Sequence, residues 1–214
     1  MEVELDAPEA RVLGALIEKD LATPEYYPLT RNALVAACNQ KNNREPVVAY
    51  DEETVESAID GLRQKHLLAV ITGAGLRVPK YRHLIGELYN LGRRELALLC
   101  VLMLRGPQTL GELRDRTERM HSFADLEEVE GVLGRLIERT PEPMVTRLPR
   151  QPGTKEPRFA HLLGGSAPIE AVADPTPLAP RADRVAALEA EVTRLRSELE
   201  ELQRDFREFR RMLE

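Results

Sequence analysis

Carboxylates form the densest group of chemically active side chains in this sequence, with a cluster at Asp51, Glu52, Glu53 and Glu56. Paired carboxylates can serve as the acid and base of a glycosidase or bind a metal ion. Acids in the first turn of a helix also complement the helix dipole without any chemistry, and we favour that interpretation. The sequence contains no phosphate-binding loop, nucleophile elbow or dinucleotide fingerprint. We therefore predict a protein that is not an enzyme and has no catalytic residues and no cofactor.

Two cysteines and four histidines are the remaining residues of the kind that bind zinc. Cys38 and Cys100 each lie in an apolar stretch, with no histidine or second cysteine at ligand spacing. We predict that both are buried free thiols and that the protein has no metal site. His83 and His161 occupy equivalent places in an internal repeat, which indicates a role in the fold.

The most unusual polar segment is residues 39–44, which read Asn-Gln-Lys-Asn-Asn-Arg. One hypothesis is a recognition loop that contacts a partner or a nucleic acid through Lys41 and Arg44. The other is that the asparagines satisfy the backbone of an irregular turn and cap a helix end. The second interpretation is favoured because asparagine is common in such turns, but the first stays open.

The elements that must position these residues are predicted twice, in residues 1–85 and again in residues 86–163. The predicted N-cap residues of the helices are Asp6, Thr30 and Asp51 in the first repeat, and Thr109 and Asp125 in the second. The third helices carry the same apolar stripe, Val55, Ala58, Ile59 and Leu62 against Val129, Val132, Leu133 and Leu136. Strand-like runs at 67–72 and 76–83, and at 144–148 and 157–162, predict a hairpin after each third helix. Three helices and a hairpin make a winged helix-turn-helix domain, so we predict a mainly α fold with small β-hairpins (α+β) and two such domains in tandem.

Residues 96–104 form a run of nine apolar residues. This run is far shorter than the roughly 20 residues that a membrane-spanning helix needs. A helix without a polar face must be buried on more than one side. We predict that the first repeat or a second chain covers it.

The C-terminal region is predicted to contain a Pro-rich flexible linker, residues 164–180, and then a coiled-coil helix, residues 181–214. The predicted dimer seam consists of Val185, Leu188, Val192, Leu195, Leu199, Leu202, Phe206, Phe209 and Leu213, spaced alternately three and four apart. β-Branched residues at a and leucine at d favour two strands. Three of the four flanking pairs of a parallel arrangement are opposite in charge: Arg184 with Glu189, Glu191 with Arg196, and Asp205 with Arg210. The prediction is a parallel homodimer, and docking of this helix on its own chain is the alternative.

The segment from Thr23 to Val47 carries a family resemblance. It reads TPEYYPLTRNALVAACNQKNNREPV, and with it residues 1–163 resemble the YceH-like family of uncharacterised bacterial tandem winged-helix proteins. The run from Ala37 to Val47 is the most specific part of the match. The resemblance implies the fold, a cytosolic location and the absence of a known reaction, and it supplies no catalytic residues.

The charge distribution argues against a dedicated DNA-binding protein. The chain of 214 residues has 30 basic and 36 acidic residues, and both third helices begin with acids where a winged helix would enter the major groove. The predicted hairpins are basic, and with the polar turn they supply the candidate contacts to a partner or nucleic acid: Lys41, Arg44, Arg77, Lys80, Arg82, Arg147, Arg150, Lys155 and Arg158. Basic edge strands also serve solubility, which is the simpler interpretation of the hairpins.

These observations predict a non-enzymatic regulatory or scaffolding protein that acts as a dimeric protein-interaction module, whose protein partner the sequence does not identify. The alternative is a transcriptional regulator that contacts DNA through its basic hairpins and the turn at Lys41 and Arg44. The acidic N-terminal sequence has no basic and apolar targeting signal, and no apolar run could cross a membrane. With only two cysteines in the chain, we predict a cytoplasmic location and no membrane association.

Overall fold

The computed structural model describes residues 4–73, 76–150 and 156–164, which all belong to one compact unit. In the first repeat the helices are α1 (Ala7–Ala22), α2 (Arg31–Cys38), α3 (Glu52–Gln64) and α4 (Ile85–Tyr89), and the strands are β1 (Leu29–Thr30), β2 (Leu68–Ile71) and β3 (Lys80–His83). In the second repeat they are α5 (Arg93–Arg105), α6 (Leu110–Thr117), α7 (Leu126–Ile137), β4 (Val145–Arg147) and β5 (Phe159–His161). The fold is therefore a mixture of helices and small antiparallel sheets. Among these helices, none has the length and apolar character that a membrane crossing requires.

The helix starts lie at the residues that the sequence predicts. Asp6 and Glu9 form a reciprocal capping box at the start of α1, and Thr109 and Glu112 form another at α6. The remaining caps are Thr30, Asp51 and Asp125, each of which accepts a hydrogen bond from a backbone N–H of the first turn. The apolar stripes of α3 and α7 are buried in full. Local sequence signals therefore define where these helices begin and which face they bury.

Both predicted hairpins are present, and in each a second pairing, which the sequence did not indicate, is added to the return strand. In the first repeat β2 pairs with β3 from Leu68–His83 to Ile71–Lys80, and β1 adds to the other edge of β3. In the second repeat β4 pairs with β5, and an isolated bridge joins Gln108 to Phe159. The segment before the second helix thus pairs with the return strand in both repeats. Segments of one or two residues are too short to show a strand pattern, so they were missed, as was the five-residue helix α4.

Helix α5 is the centre of the hydrophobic core. Every residue from 96 to 104 is buried, which confirms the prediction for the apolar run, and α1 of the first repeat packs against it. At the crossing a Cβ on Gly14 would lie 2.9 Å from Cδ2 of Leu104, so a larger residue would require the Leu104 side chain to shift. The Cys100 thiol donates to the Gly14 carbonyl at 3.3 Å. Buried residues of both repeats thereby form one continuous core.

Several predicted features lie outside the described residues. These are the hairpin tips at 74–75 and 151–155 with Lys155, the linker beyond residue 164, and the C-terminal helix with its nine seam residues.

Candidate functional site

The polar turn at 39–44 is organised by its asparagines. Asn39 caps the C-terminal end of α2, and its side chain both donates to the Tyr50 carbonyl at 2.7 Å and accepts from the Tyr50 N–H at 2.8 Å. Asn43 has a φ of 61°, in the left-handed region where asparagine is well tolerated, and its side chain accepts a hydrogen bond from Arg105. Asn39 therefore has the structural role that the sequence favours, since it caps a helix end and satisfies backbone groups of the turn.

Arg44 is buried and does not face solvent. Its guanidinium forms an ion pair with Glu18 at 2.6 Å and also donates to the backbone carbonyls of Ala37, at 2.8 Å, and Asn43, at 2.9 Å. The side chain is fully buried, so we remove Arg44 from the predicted contact residues. It instead anchors the turn to α1, which leaves Lys41 and Asn42 exposed on the outer side of the turn.

A cleft of about 460 Å³ opens between this turn and the second repeat, and we call it the basic cleft. The first repeat contributes the end of α1 and residues 40–43, and the second contributes the end of α5, α6 and the residues after α6. Its cationic lining residues are Lys19, Lys41, Arg105, Arg116 and Arg119, and its acidic lining residue is Glu18. Four of these cations were not predicted from the sequence, because they come from three separate segments and only the fold brings them to Lys41. The sequence feature that could have indicated this basic surface is the density of arginines between residues 105 and 119.

The positive charge in the basic cleft is poorly compensated. Glu18 is already engaged by Arg44, and Lys19 lies 3.6 Å from the same carboxylate. Arg116 lies 3.4 Å from Glu112, but within the described residues no ion pair involves Lys41, Arg105 or Arg119. Burial, and then repulsion from Arg116 and Arg44, lower the pKa of Arg105. The cations are thus close enough to repel one another, and an anion in the cleft would relieve that repulsion.

The floor of the basic cleft is apolar and chemically unreactive. It is formed by Ala22, Cys100, Val101, Leu104 and Met120. The Cys100 thiol is buried, its hydrogen is donated to Gly14, and burial raises its pKa well above the ordinary value. A protonated buried thiol is not a nucleophile. The arrangement of cations and amides over an apolar floor therefore suits binding of an anion.

Cys38 is also a buried free thiol, with its pKa raised to about 12 by burial, so the prediction for both cysteines is confirmed.

His83 lies at the end of β3, where its backbone N–H donates to the Tyr27 hydroxyl and Nε2 is 3.2 Å from Asp20. The His83 side chain therefore connects β3 to α1 through Asp20. Burial lowers the pKa of His161 to about 4, so it stays neutral in the fold. Among the described residues no group of three or more His, Cys, Asp or Glu side chains could hold a metal ion.

Two of the basic hairpin residues have polar partners. Arg82 pairs with Glu87, and Arg158 donates to the Pro107 carbonyl at 2.8 Å and to Glu112 at 3.1 Å. The others are Arg77, Arg147 and Arg150, which are exposed, and Lys80, which is partly exposed; none of these four has an ion-pair partner within the described part of the chain. The hairpins therefore retain basic surface.

The solvent-facing sides of α3 and α7 are acidic. In the first repeat Asp51, Glu52, Glu53 and Asp60 are exposed, and in the second Asp125, Glu127 and Glu130 are exposed. Neighbouring basic residues neutralise only part of these faces. Arg31 pairs with Glu52 and Glu56, Arg63 pairs with Asp60, and Arg94 pairs with Glu128. Within the described residues no ion pair involves Asp51, Glu53, Glu127 or Glu130. Both third helices consequently present negative charge to any partner.

Comparison with known proteins gives one consistent result. The family described as "Protein of unknown function, DUF480" matches residues 5–154. The chain is 56% identical over 202 residues to a UPF0502 protein of Geobacter sulfurreducens, which covers 91% of both chains. It is 54% identical over 221 residues to a UPF0502 protein of Pelobacter propionicus, which covers all of both chains. A UPF0502 protein of Opitutus terrae is 56% identical over 188 residues, covering 88% of this chain and 81% of the relative.

Proposed function

Since this chain belongs to the DUF480 family of proteins of unknown function, in agreement with its resemblance to an uncharacterised family, we propose a function from its own geometry. The protein is a non-enzymatic regulatory or scaffolding module that binds a protein partner through two tandem winged-helix domains. It works in the cytoplasm as a dimer held by its C-terminal helix.

The order and pairing of the elements support the winged-helix part of the proposal. Each repeat has three helices followed by an antiparallel hairpin, and in each the segment before the second helix pairs with the return strand. That second pairing joins the helical part of a repeat to its hairpin. The equivalent caps and buried stripes of α3 and α7 add to the correspondence.

The acidic surface of α3 and α7 is the observation that favours a protein partner over DNA. In a DNA-binding winged helix the third helix enters the major groove, beside the phosphates. Exposed carboxylates such as Glu53, Glu127 and Glu130 repel phosphate but complement a basic protein surface. A partner with a basic patch is therefore favoured over a nucleic acid at these helices.

The test is capture of partners from native lysate by the full-length protein, with and without nuclease. Asp60→Lys with Glu130→Lys reverses two exposed charges beyond the first helical turn, so the caps stay intact. This variant is expected to lose a nuclease-resistant partner, because like charges across an interface cost several kcal/mol. The matched control, Glu25→Lys with Asp115→Lys, reverses two exposed acids outside α3 and α7 and is expected to retain the partner.

The alternative function, DNA binding through the hairpins, is favoured by the exposed and unpaired arginines Arg77 and Arg150 and by Lys41 in the polar turn. It predicts that the captured material disappears with nuclease. It also predicts that Arg77→Glu with Arg150→Glu abolishes a complex tighter than the non-specific range of about 10⁻⁴ to 10⁻⁶ M. Either result would contradict the protein-interaction proposal.

The dimer proposal is tested by light scattering on the full chain. We expect a dimer at micromolar concentration that becomes a monomer when Leu195→Asp and Leu202→Asp place carboxylates in the proposed seam. Ser197→Asp adds one carboxylate at an outward-facing heptad position and is the control, which is expected to stay dimeric. A wild-type monomer, or a dimer that persists in the double variant and in a chain ending near residue 179, would contradict the proposal.

A further inference from the structure

We propose that the basic cleft is a binding site for a small phosphorylated ligand that carries at least two negative charges, such as a nucleoside diphosphate. This inference does not depend on the proposed protein-interaction function, because it concerns a different surface. The cleft lies between the two repeats, whereas the acidic faces belong to α3 and α7.

The charge of the cleft selects the ligand class. Among the described residues five cationic side chains and one acidic side chain line the cleft. Glu18 pairs with the buried Arg44 and lies near Lys19, and Arg116 lies near Glu112, so the uncompensated charge is that of Lys41, Arg105 and Arg119. A monocarboxylate would leave most of this charge uncompensated, whereas a diphosphate spreads several negative oxygens over the space that the cations share. Three of the five are arginines, whose planar fork binds phosphate oxygens in pairs. Burial, and then repulsion from Arg116 and Arg44, lower the pKa of Arg105, and both Arg105 and Arg116 line the cleft.

The size and floor of the cleft indicate a small molecule. A volume of about 460 Å³ lies within the usual range of small-molecule sites, roughly 300–1,000 Å³. The side chains of Val101, Leu104 and Met120 give the floor an apolar surface against which the body of a ligand can pack. An extended macromolecule would contact the rim and leave this floor empty.

The cleft is built before any ligand arrives. Arg44 and Glu18 anchor the polar turn, and Asn39 closes it against Tyr50. The Glu45 N–H donates to the Leu104 carbonyl at 2.8 Å, which ties the end of the turn to α5 across the cleft. Since the walls are held in place, binding orders few groups, and that lowers its entropic cost.

The test is calorimetric titration of the full-length protein with pyrophosphate, ADP and acetate at about 0.15 M ionic strength, which gives the Kd of each ligand. Lys41→Ala with Arg119→Ala removes two exposed cations that pair with no acid among the described residues, so the fold is expected to survive. Loss of two charge-assisted contacts is expected to raise the Kd for pyrophosphate and ADP about tenfold or more. Arg77→Ala with Arg150→Ala removes two exposed cations of the hairpins and is expected to change the Kd less than about twofold. Arg119→Ala alone is expected to give an intermediate loss.

The proposal fails if neither pyrophosphate nor ADP binds, if acetate binds as tightly, or if both double variants weaken binding equally. Duplex DNA is the competing probe. If DNA binds, the Lys41 and Arg119 variant abolishes that binding, and pyrophosphate does not compete, the cleft contacts nucleic acid and the small-ligand proposal is wrong. Partner capture by the acidic helices is measured separately, so failure here leaves that proposal standing.

Discussion

Leu102→Asp is expected to abolish cooperative folding. Leu102 lies in the middle of α5, has no exposed surface, and belongs to the core that both repeats share. A carboxylate placed there must be buried without a partner or protonated, and either outcome costs several kcal/mol. The total stability of a domain is only about 5–15 kcal/mol, so a large part of it is lost. Thermal unfolding followed by circular dichroism should show no cooperative transition at the wild-type temperature.

The control for this variant is Leu126→Asp, the same substitution at a leucine that is 42% exposed in the first turn of α7. A new carboxylate there faces solvent and complements the helix dipole, so the expected change in stability is within about 0.5 kcal/mol. A Leu102→Asp protein that melts with the wild type would contradict the burial of α5.

Arg44→Ala is expected to lower the free energy of unfolding by about 3–5 kcal/mol, because it leaves the largely buried Glu18 carboxylate with only Lys19, 3.6 Å away, as a counter-charge. The variant also leaves the Ala37 carbonyl without the hydrogen bonds that the guanidinium donates. Urea denaturation monitored by circular dichroism measures the change. The exposed pair of Arg63 and Asp60 provides the comparison, and Arg63→Ala should cost less than about 1 kcal/mol.

A second variant separates the loss of a buried charge from the loss of packing at Arg44. Removing both charges, in Glu18→Gln with Arg44→Met, takes away the unpaired carboxylate while keeping most of the side-chain volume. This double variant is expected to be clearly more stable than Arg44→Ala, since the largest cost of breaking a buried pair is the charge left behind. If Arg44→Ala lies within about 1 kcal/mol of the wild type, the ion pair does not anchor the turn.

Much of the local architecture could be predicted from the sequence by itself. The caps at Asp6, Thr30, Asp51, Thr109 and Asp125 mark helix starts because a side chain satisfies a backbone N–H only a few residues away. The stripes of α3 and α7 identify a buried face because helical periodicity is set within one segment. The nine successive apolar residues of α5 predict burial on several sides, whichever segment of the protein covers them. These signals operate over short distances along the chain, so the sequence carries them in full.

The basic cleft and the role of Arg44 were decided only by tertiary structure. Arg44 and Lys41 are three residues apart and both positively charged, yet one is buried against Glu18 and the other is exposed. Lys19, Arg105 and Arg119 meet at the cleft because α1 packs on α5 at Gly14, a contact between residues far apart in sequence. The short strand β1 likewise exists only because β3 offers it an edge. Local periodicity and capping hold no information about such distant neighbours, because burial and charge compensation depend on which segments the core brings together.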